Sequence, residues 1–159
     1  MYIKTKRLIL RGVGKEDSDA IYDYMSNKKT SLYIEQGCLN RTQLALFFED
    51  NLKENAKCHV IEEIQTGKVV GHMMFYPCFG NHTNEIGWII NEKYQLRGYA
   101  FEASAALFSY GFNDLNVHRI IATCQPENKA SYQLMEKLGM VREAHFRQCI
   151  PKIRWCVVG

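Results

Sequence analysis

The first third of the chain changes its hydrophobic period twice. Residues 7–13 alternate apolar and polar side chains, as in a half-buried strand, and residues 14–27 then repeat apolar positions on one helical face. A second helical pattern covers residues 42–56 and follows a polar stretch suited to a helix cap. Residues 28–39, between these helices, have no clear period and are predicted to be a loop.

The rest of the chain predicts an antiparallel meander followed by alternating helices and strands. Two apolar runs joined by the turn QTGK indicate a hairpin, a third strand follows it, and the period then becomes helical. The predicted strands are 58–64, 69–77, 84–90, 119–125 and 141–146, and the predicted helices are 100–112 and 128–138. The complete predicted order is β-α-α-βββ-α-β-α-β.

Composition favours a single domain and excludes several functional classes. With 159 residues and 47% hydrophobic composition the chain can build one core, so residues 1–159 are predicted to be one domain. Its net charge of +3 is too small for a dedicated nucleic-acid binder. No apolar run is long enough for a membrane span, and the N-terminus lacks a signal-peptide pattern. A cytoplasmic location is therefore expected, with no membrane and no direct nucleic-acid partner.

Cysteine and histidine spacing does not indicate a metal site. The six cysteines form no C-x-x-C pair, and the five histidines lack the spacing of metal ligands. In a reducing cytosol such cysteines are expected to be free thiols, several of them buried. We therefore predict no metal cofactor.

A lone glycine, Gly98, stands between Arg97 and Tyr99, after the strand at 84–90 and before the helix at 100–112. A glycine at such a junction permits a tight turn, and successive backbone N–H groups there can bind an anion at the positive end of a helix. Arg97 would add positive charge to that site. Alone, the motif is weak, because a glycine before a helix is often only a turn device.

Other segments make the motif more specific. The hexapeptide QLRGYA, residues 95–100, resembles the Q/R-x-x-G-x-G/A acyl-CoA signature of the GNAT N-acetyltransferase superfamily. The segments TKRLILR, GKVVGHM, NEIGWIINEKYQLRGYAFEA, LNVHRIIATCQPENKAS and MEKLGM are similar, in order and spacing, to the RimJ/RimL-type branch of that superfamily. The resemblance covers about residues 5 to 147.

The resemblance implies one mixed, strongly twisted and splayed β-sheet flanked by helices, an α/β (α+β) architecture that binds acetyl-CoA in the splay. By the same resemblance, the pyrophosphate would sit on the loop 95–100, and the pantetheine arm would lie along residues 88–90 like an added strand. The cofactor-binding residues implied in this way are Trp88, Ile89, Ile90, Gln95, Leu96, Arg97, Gly98, Tyr99, Ala100 and Asn128.

Two residues are implied to carry the chemistry, which needs a neutral amine and a proton for the departing thiolate. Glu85 matches a glutamate that takes the proton from the amine, directly or through water; alternatively it is an outward strand residue paired with a lysine. Ser131 matches a serine that protonates the thiolate of coenzyme A. Many relatives use a tyrosine where this chain has Met135, which cannot donate a proton, and Tyr132 is a weaker substitute.

Asn128 has two interpretations: a helix cap and a contact of the pantetheine arm. The acceptor site is expected from the loop 28–38 with the following helix, from residues 76–84 and from the C-terminus, with Tyr33 and Tyr76 as wall candidates. Relatives continue into a long last strand, so the last strand here, 153–158, is predicted to be short or missing. A second copy of the chain could cover such an open edge, so a homodimer is a further hypothesis.

The leading hypothesis is transfer of an acetyl group from acetyl-CoA to a primary amine by direct attack in a ternary complex. About a tenth of an α-amine but well under a thousandth of lysine is neutral at pH 7, which favours a protein N-terminus, such as that of a ribosomal protein, or a small weakly basic amine. The alternatives are a polyamine or an aminoglycoside as acceptor, a non-catalytic acyl-CoA-binding or regulatory module, and a purely structural domain.

Overall fold

The computed structural model describes residues 1–34, 36–53 and 55–146. In this part of the chain the strands are β1 (Tyr2–Lys4), β2 (Leu8–Gly12), β3 (Cys58–Glu63), β4 (Lys68–Cys78), β5 (Thr83–Ile90) and β6 (Arg119–Ile121). The α-helices are α1 (Ser18–Met25), α2 (Arg41–Asn51), α3 (Tyr99–Asn113) and α4 (Lys129–Lys137). Short 3-10 turns at Lys15–Asp17 and Glu92–Tyr94 precede α1 and follow β5.

The strands form one mixed sheet in the order β1-β2-β3-β4-β5-β6. Every neighbouring pair from β1 to β5 is antiparallel, whereas β5 and β6 are parallel and are joined through α3. The hairpin and the meander predicted from the apolar runs and the turn between them are thereby confirmed. A parallel pair needs a crossover connection, and the helical pattern after β5 supplies it.

Apolar side chains pack on both faces of this sheet. On one face the buried residues of α3, among them Ala103 and Leu107, contact β2 to β5. On the other face, Ile21 and Tyr24 of α1 and Leu44 of α2 pack over β3 and β4. The helices thus complete a three-layer domain whose strands are covered on both sides.

An ion-pair cluster fixes the start of α1 against the sheet. The Arg11 guanidinium binds both oxygens of Asp17 at 2.8 Å and one oxygen of Glu62 at 2.8 Å. The Asp17 carboxylate also accepts the Gly14 N–H, which satisfies a donor at the helix entry. The hydrogen bond with Asp17 raises the pKa of Arg11 further above its usual value, although burial alone would lower it.

The helix predicted at 42–56 ends at Asn51, and three other elements differ from the sequence prediction. The strand predicted at 119–125 ends at Ile121, and β1, which is only three residues long, was not predicted. The strand predicted at 141–146 is wrong, since these residues are exposed and form no ladder with any described strand. Alternating apolar residues do not make a strand without a partner for the backbone. The prediction for 153–158 falls outside the described residues.

His72 on β4 predicts a loss of stability on acidification. Its side chain is completely buried, with Nδ1 2.8 Å from the Tyr24 hydroxyl, and burial lowers its pKa from 6.5 to about 4. The unfolded chain therefore binds this proton more readily than the folded protein. The free energy of unfolding should be highest above pH 6.5 and should fall as the pH decreases towards 4, by on the order of 2 kcal/mol at pH 5 from this group alone.

Urea unfolding at pH 7 and pH 5 checks this expectation. His72→Gln, which keeps an acceptor for the Tyr24 hydroxyl, should lose less stability between the two pH values than the wild type. His82→Gln, at an exposed position, is the matched control and should retain the wild-type difference. An equal pH dependence in all three proteins would contradict the assignment to His72. The second buried histidine, His59, has a pKa also lowered to about 4, chiefly by burial, and supplies the residual slope.

Across the described part of the chain, every helix is too short or too polar to cross a membrane.

Candidate active site

The edge of β5 that faces β6 is only partly paired. The parallel ladder joins Thr83–Glu85 to Arg119–Ile121 and ends there, while β5 continues to Ile90. Beyond Glu85, no described strand lies on that side of β5. The two strands therefore separate, and the sheet opens beside the C-terminal half of β5, as the resemblance implied.

Alternation along β5 decides which backbone groups face the opening. The Asn91 N–H binds the Val70 carbonyl of β4, and the His82 carbonyl accepts the Arg119 N–H on the opposite side. Successive residues of a strand point their backbone groups to opposite sides, so Trp88 and Ile90 face the opening. Ile89 directs its carbonyl to β4 instead, where it lies so close to Gly71 that an added Cβ would stand 2.2 Å from it.

The loop after β5 has the geometry of an anion cradle. Leu96 and Gly98 both have positive φ, 61° and 78°, and α3 begins directly after Gly98. Since Gly98 has no side chain, it leaves the first N–H groups of α3 without a side-chain cap. These donors, together with the positive end of a 15-residue helix, favour a phosphate.

The side chains of this loop hold its backbone in place. The Gln95 amide donates to the Ile90 carbonyl at 2.9 Å, which ties the loop to the end of β5. The Arg97 guanidinium donates to the Lys93 carbonyl at 3.0 Å. Tyr99 turns into the core, where its hydroxyl binds Glu63.

The loop residues therefore differ in the groups that they can offer to a ligand. Tyr99 and Ala100 can present only backbone N–H groups, because Tyr99 is buried and Ala100 has no polar side-chain atom. Leu96, by contrast, is fully exposed. Arg97 offers the positive charge of its guanidinium, which also donates to the Lys93 carbonyl.

Glu85 lies where β5 and β6 separate, and two hydroxyl groups hold its carboxylate. Tyr76 donates to Oε2 at 2.9 Å from β4, and Thr123 donates to Oε1 at 3.0 Å from the segment after β6. In the part of the chain that the structure describes, the Glu85 carboxylate is thus bound by two hydroxyls. The alternative interpretation of Glu85, an outward strand residue paired with a lysine, predicted an ammonium partner instead. Each oxygen keeps a second lone pair, which can accept a proton or bind an ammonium group.

Tyr76 remains a hydrogen-bond donor throughout the neutral pH range. Burial, followed by the hydrogen bond with Glu85, raises its pKa to about 12. The Lys57 ammonium lies 5.0 Å from the centre of the Tyr76 ring and adds a positive charge to this wall. The same surroundings, with burial as the larger cause, raise the pKa of the neighbouring Cys78 thiol.

Tyr33, an acceptor-wall candidate, joins the loop after α1 to the segment before α4. The Tyr33 hydroxyl donates to the Glu127 carbonyl at 3.1 Å, and the Gln125 amide donates to the Tyr33 carbonyl at 3.4 Å. The segment after α1 thereby bridges to the segment between β6 and α4, which also carries Thr123. Tyr76 consequently lies at Glu85, whereas Tyr33 contacts the segment between β6 and α4.

Asn128 caps α4, as one of its two interpretations predicted. Its Oδ1 accepts the Ser131 N–H at 3.1 Å, so the side-chain amide nitrogen is the group left for a ligand. Ser131 lies in the first turn of α4 and is partly buried. Among the described residues the Ser131 hydroxyl has no side-chain contact with Glu85, so the geometry joins Glu85 to Tyr76 and Thr123 but not to Ser131.

Comparison with known proteins identifies the family. Residues 7–141 match the model of the acetyltransferase (GNAT) domain. The chain belongs to the GNAT acetyltransferase family. It is 45% identical over 152 residues to the uncharacterized N-acetyltransferase YnaD of Bacillus subtilis (strain 168), covering 96% of this chain and 89% of that protein.

A solved GNAT structure confirms the architecture. The crystal structure of a GNAT-family acetyltransferase from Bacillus anthracis superposes with a TM-score of 0.90 at 44% identity, covering 95% of this chain and 90% of that one. The predicted mixed sheet flanked by helices is thereby confirmed. A more distant match is the [ribosomal protein uS5]-alanine N-acetyltransferase of Escherichia coli (strain K12), 36% identical over 71 residues, which cover 45% of this chain and 34% of that enzyme.

Sequence reasoning missed two contributors to this GNAT site. Thr123 falls in the segment predicted as strand, where nothing in the pattern connects it with Glu85, 38 residues earlier. Arg7 belongs to the matching segment TKRLILR, but only the folded chain brings its guanidinium to the carbonyl of Arg97, at 3.0 Å.

Proposed function

We propose that this GNAT acetyltransferase transfers the acetyl group of acetyl-CoA to a primary amine by direct attack in a ternary complex. The observation that carries the proposal is the open edge of β5, which leads at one end to the cradle before α3 and at the other to the Glu85 carboxylate. An extended donor with phosphates at one end and a thioester at the other matches this arrangement. The phosphates would lie at the cradle and the acetyl group near Glu85.

The chain would hold acetyl-CoA mainly through backbone groups. The N–H groups at Gly98, Tyr99 and Ala100 would bind pyrophosphate oxygens, with charge from Arg97. Trp88, through its backbone groups, and Ile90, through its N–H because Gln95 already holds its carbonyl, would pair with the amides of the pantetheine arm as a neighbouring strand does. Ile89 would contribute only its side chain, and Asn128 its amide nitrogen.

Glu85 would accept the proton of the attacking amine, directly or through one water. The amine nitrogen then forms its bond to the thioester carbonyl carbon, the carbon–sulfur bond breaks, and coenzyme A leaves as a thiolate. Ser131 would donate the proton that this thiolate takes up and would regain a proton from solvent, to which Glu85 releases the proton of the amine. Tyr76 and Thr123 would orient the carboxylate, because each hydroxyl fixes one of its oxygens.

An α-amine, such as a protein N-terminus, is the favoured acceptor. Its neutral fraction at pH 7 is about a tenth, so one modest base is sufficient. The distant relative that acetylates a ribosomal-protein alanine supports this class. A polyamine or an aminoglycoside is less suitable, because the Lys57 ammonium beside Tyr76 would repel a second cationic group near Glu85.

Release of free coenzyme A thiol from acetyl-CoA tests the proposal. The acceptors are a peptide with a free N-terminal alanine, its N-blocked form with one lysine, and spermidine. We expect turnover with the free N-terminus, and Ser131→Ala should lower it at saturating acetyl-CoA. Preferred turnover with spermidine would overturn the acceptor assignment, and tight acetyl-CoA binding without turnover on any acceptor would favour the non-catalytic module.

The cytoplasmic location and the homodimer stay predictions. Analytical ultracentrifugation of the full chain would decide the second of these directly.

A further inference from the structure

The Arg7 side chain lies against the phosphate cradle although it comes from the segment between β1 and β2. Its Nη1 donates to the Arg97 carbonyl at 3.0 Å, and its guanidinium carbon lies 4.7 Å from the centre of the Tyr99 ring. Its Nη2 is 3.5 Å from the position that a Cβ on Gly98 would take. This guanidinium therefore contacts Arg97 and Tyr99 and lies beside Gly98 between them.

A carboxylate fixes the direction of this guanidinium. Glu102, in the first turn of α3, accepts Arg7 Nε at 2.6 Å and the Arg7 backbone N–H at 2.8 Å. Thr5 adds a hydroxyl donor to the same carboxylate at 2.6 Å. Among the described residues, Nη2 is the nitrogen of this guanidinium without a hydrogen-bond partner, and it is the one beside Gly98.

Stability alone does not account for this arrangement. The Arg7 side chain is 43% exposed, and an exposed ion pair typically contributes little to folding. Ordering an arginine side chain also has a large entropic cost. A guanidinium held in one direction with a free N–H beside an anion cradle is instead suited to binding a phosphate oxygen.

We propose that Arg7 is a phosphate-binding residue for the coenzyme, with Nη2 donating to a phosphate oxygen while Nη1 holds the Arg97 carbonyl. The inference rests on the proposed binding of acetyl-CoA. Glu102 is a positioning residue, since it acts through Arg7. Arg7 also balances the negative charge that Glu102 brings to the first turn of α3, where a bound phosphate would otherwise meet repulsion.

Affinities for three acetyl donors test the inference. Arg7→Ala should bind acetyl-CoA about 10- to 100-fold more weakly, as expected for the loss of a charge-assisted hydrogen bond. S-acetylpantetheine has no phosphate, so kcat/KM with this donor should be unchanged. With 3′-dephospho-acetyl-CoA, a persisting defect assigns the contact to the pyrophosphate, and a defect that disappears assigns it to the 3′-phosphate.

Arg41→Ala is the matched control. Arg41 also lies over an aromatic ring, that of Tyr22 at 3.8 Å, and also pairs with a carboxylate, that of Asp19, but on the other face of the sheet. Arg41→Ala should leave the affinities for acetyl-CoA and 3′-dephospho-acetyl-CoA unchanged. Arg7→Lys, which keeps the charge but not the two Nη donors, should bind with intermediate affinity and serves if Arg7→Ala is unstable.

Four outcomes would overturn the inference. Equal losses with acetyl-CoA and S-acetylpantetheine would indicate a merely structural role for Arg7. Full recovery of acetyl-CoA affinity in Arg7→Ala/Glu102→Gln would mean that Arg7 only neutralises Glu102. Wild-type affinity in Arg7→Ala would exclude the contact while leaving the proposed function intact, whereas no binding by the wild type would defeat both.

Discussion

Glu85→Gln is expected to lower kcat with a free N-terminal peptide by about 100-fold or more, the range typical of losing a general base. The glutamine carbonyl can still accept one of the hydroxyls of Tyr76 and Thr123, and its NH2 group can donate to the oxygen of the other, so the local geometry should persist. Glu85 lies outside the part of β5 that would pair with the pantetheine arm of acetyl-CoA. The affinity for acetyl-CoA, measured by calorimetry, should therefore stay at the wild-type value. The measurement is steady-state release of coenzyme A thiol, with titration of acetyl-CoA alongside.

The pH dependence of Glu85→Gln separates a base from a packing residue. An α-amine loses its proton near pH 8, so the deficit of the variant should shrink at pH 9, where the amine no longer needs a base. Glu62→Gln is the matched control, because Glu62 is also a strand glutamate with a hydrogen-bonded carboxylate, bound to Arg11 away from the opening. A deficit that is constant with pH, or equal in Glu62→Gln, would argue against the assigned role.

Gly98→Trp should reduce acetyl-CoA affinity by at least about 100-fold. The residue has a φ of 78°, a conformation that is unfavourable for a side chain by about 1–2 kcal/mol. The indole would also stand where the first N–H groups of α3 meet the phosphates, and losing several such bonds at once exceeds the loss of any single one. Isothermal titration calorimetry with acetyl-CoA measures the effect.

Two variants show whether obstruction rather than strain causes the loss. Gly80→Trp places the same side chain at a φ of 93° in open space, in the turn between β4 and β5, and should bind acetyl-CoA normally. Gly98→Ala has only Arg7 Nη2, at 3.5 Å, near its Cβ, so it should lose stability but retain most of the affinity. If Gly80→Trp and Gly98→Trp lost affinity equally, the loop would not be the phosphate site.

Local patterns were sufficient for most of the helices and strands. The alternation in β2, the apolar runs of β3 to β5 and the helical spacing in α1 to α3 reflect which side chains leave water, and this can be read from consecutive residues. The cap of α2 is equally local, because Asn40 and Gln43 exchange hydrogen bonds within one turn. The strand prediction for 141–146 was wrong for the complementary reason. A strand also needs a partner strand, and the alternation of apolar residues gives no information about that partner.

The candidate site divides in the same way. The sequence by itself determined the family, through motifs in a fixed order, and with it the candidates Glu85, Gly98 and the loop around Gly98. Only the tertiary structure decided that Trp88 and Ile90, but not Ile89, direct their backbone groups to the opening, because that depends on which side β4 occupies.

Contacts between distant segments likewise required the fold. Thr123 meets Glu85 across 38 residues, and Arg7 meets the Arg97 carbonyl across 90. Neither contact can be predicted from residue spacing or composition, because a hydroxyl or a guanidinium can bind any segment that the sheet brings near it. Interactions between residues close in sequence specified the helices, the strands and the cradle. The packing of the sheet against α3 determined which side chains surround them.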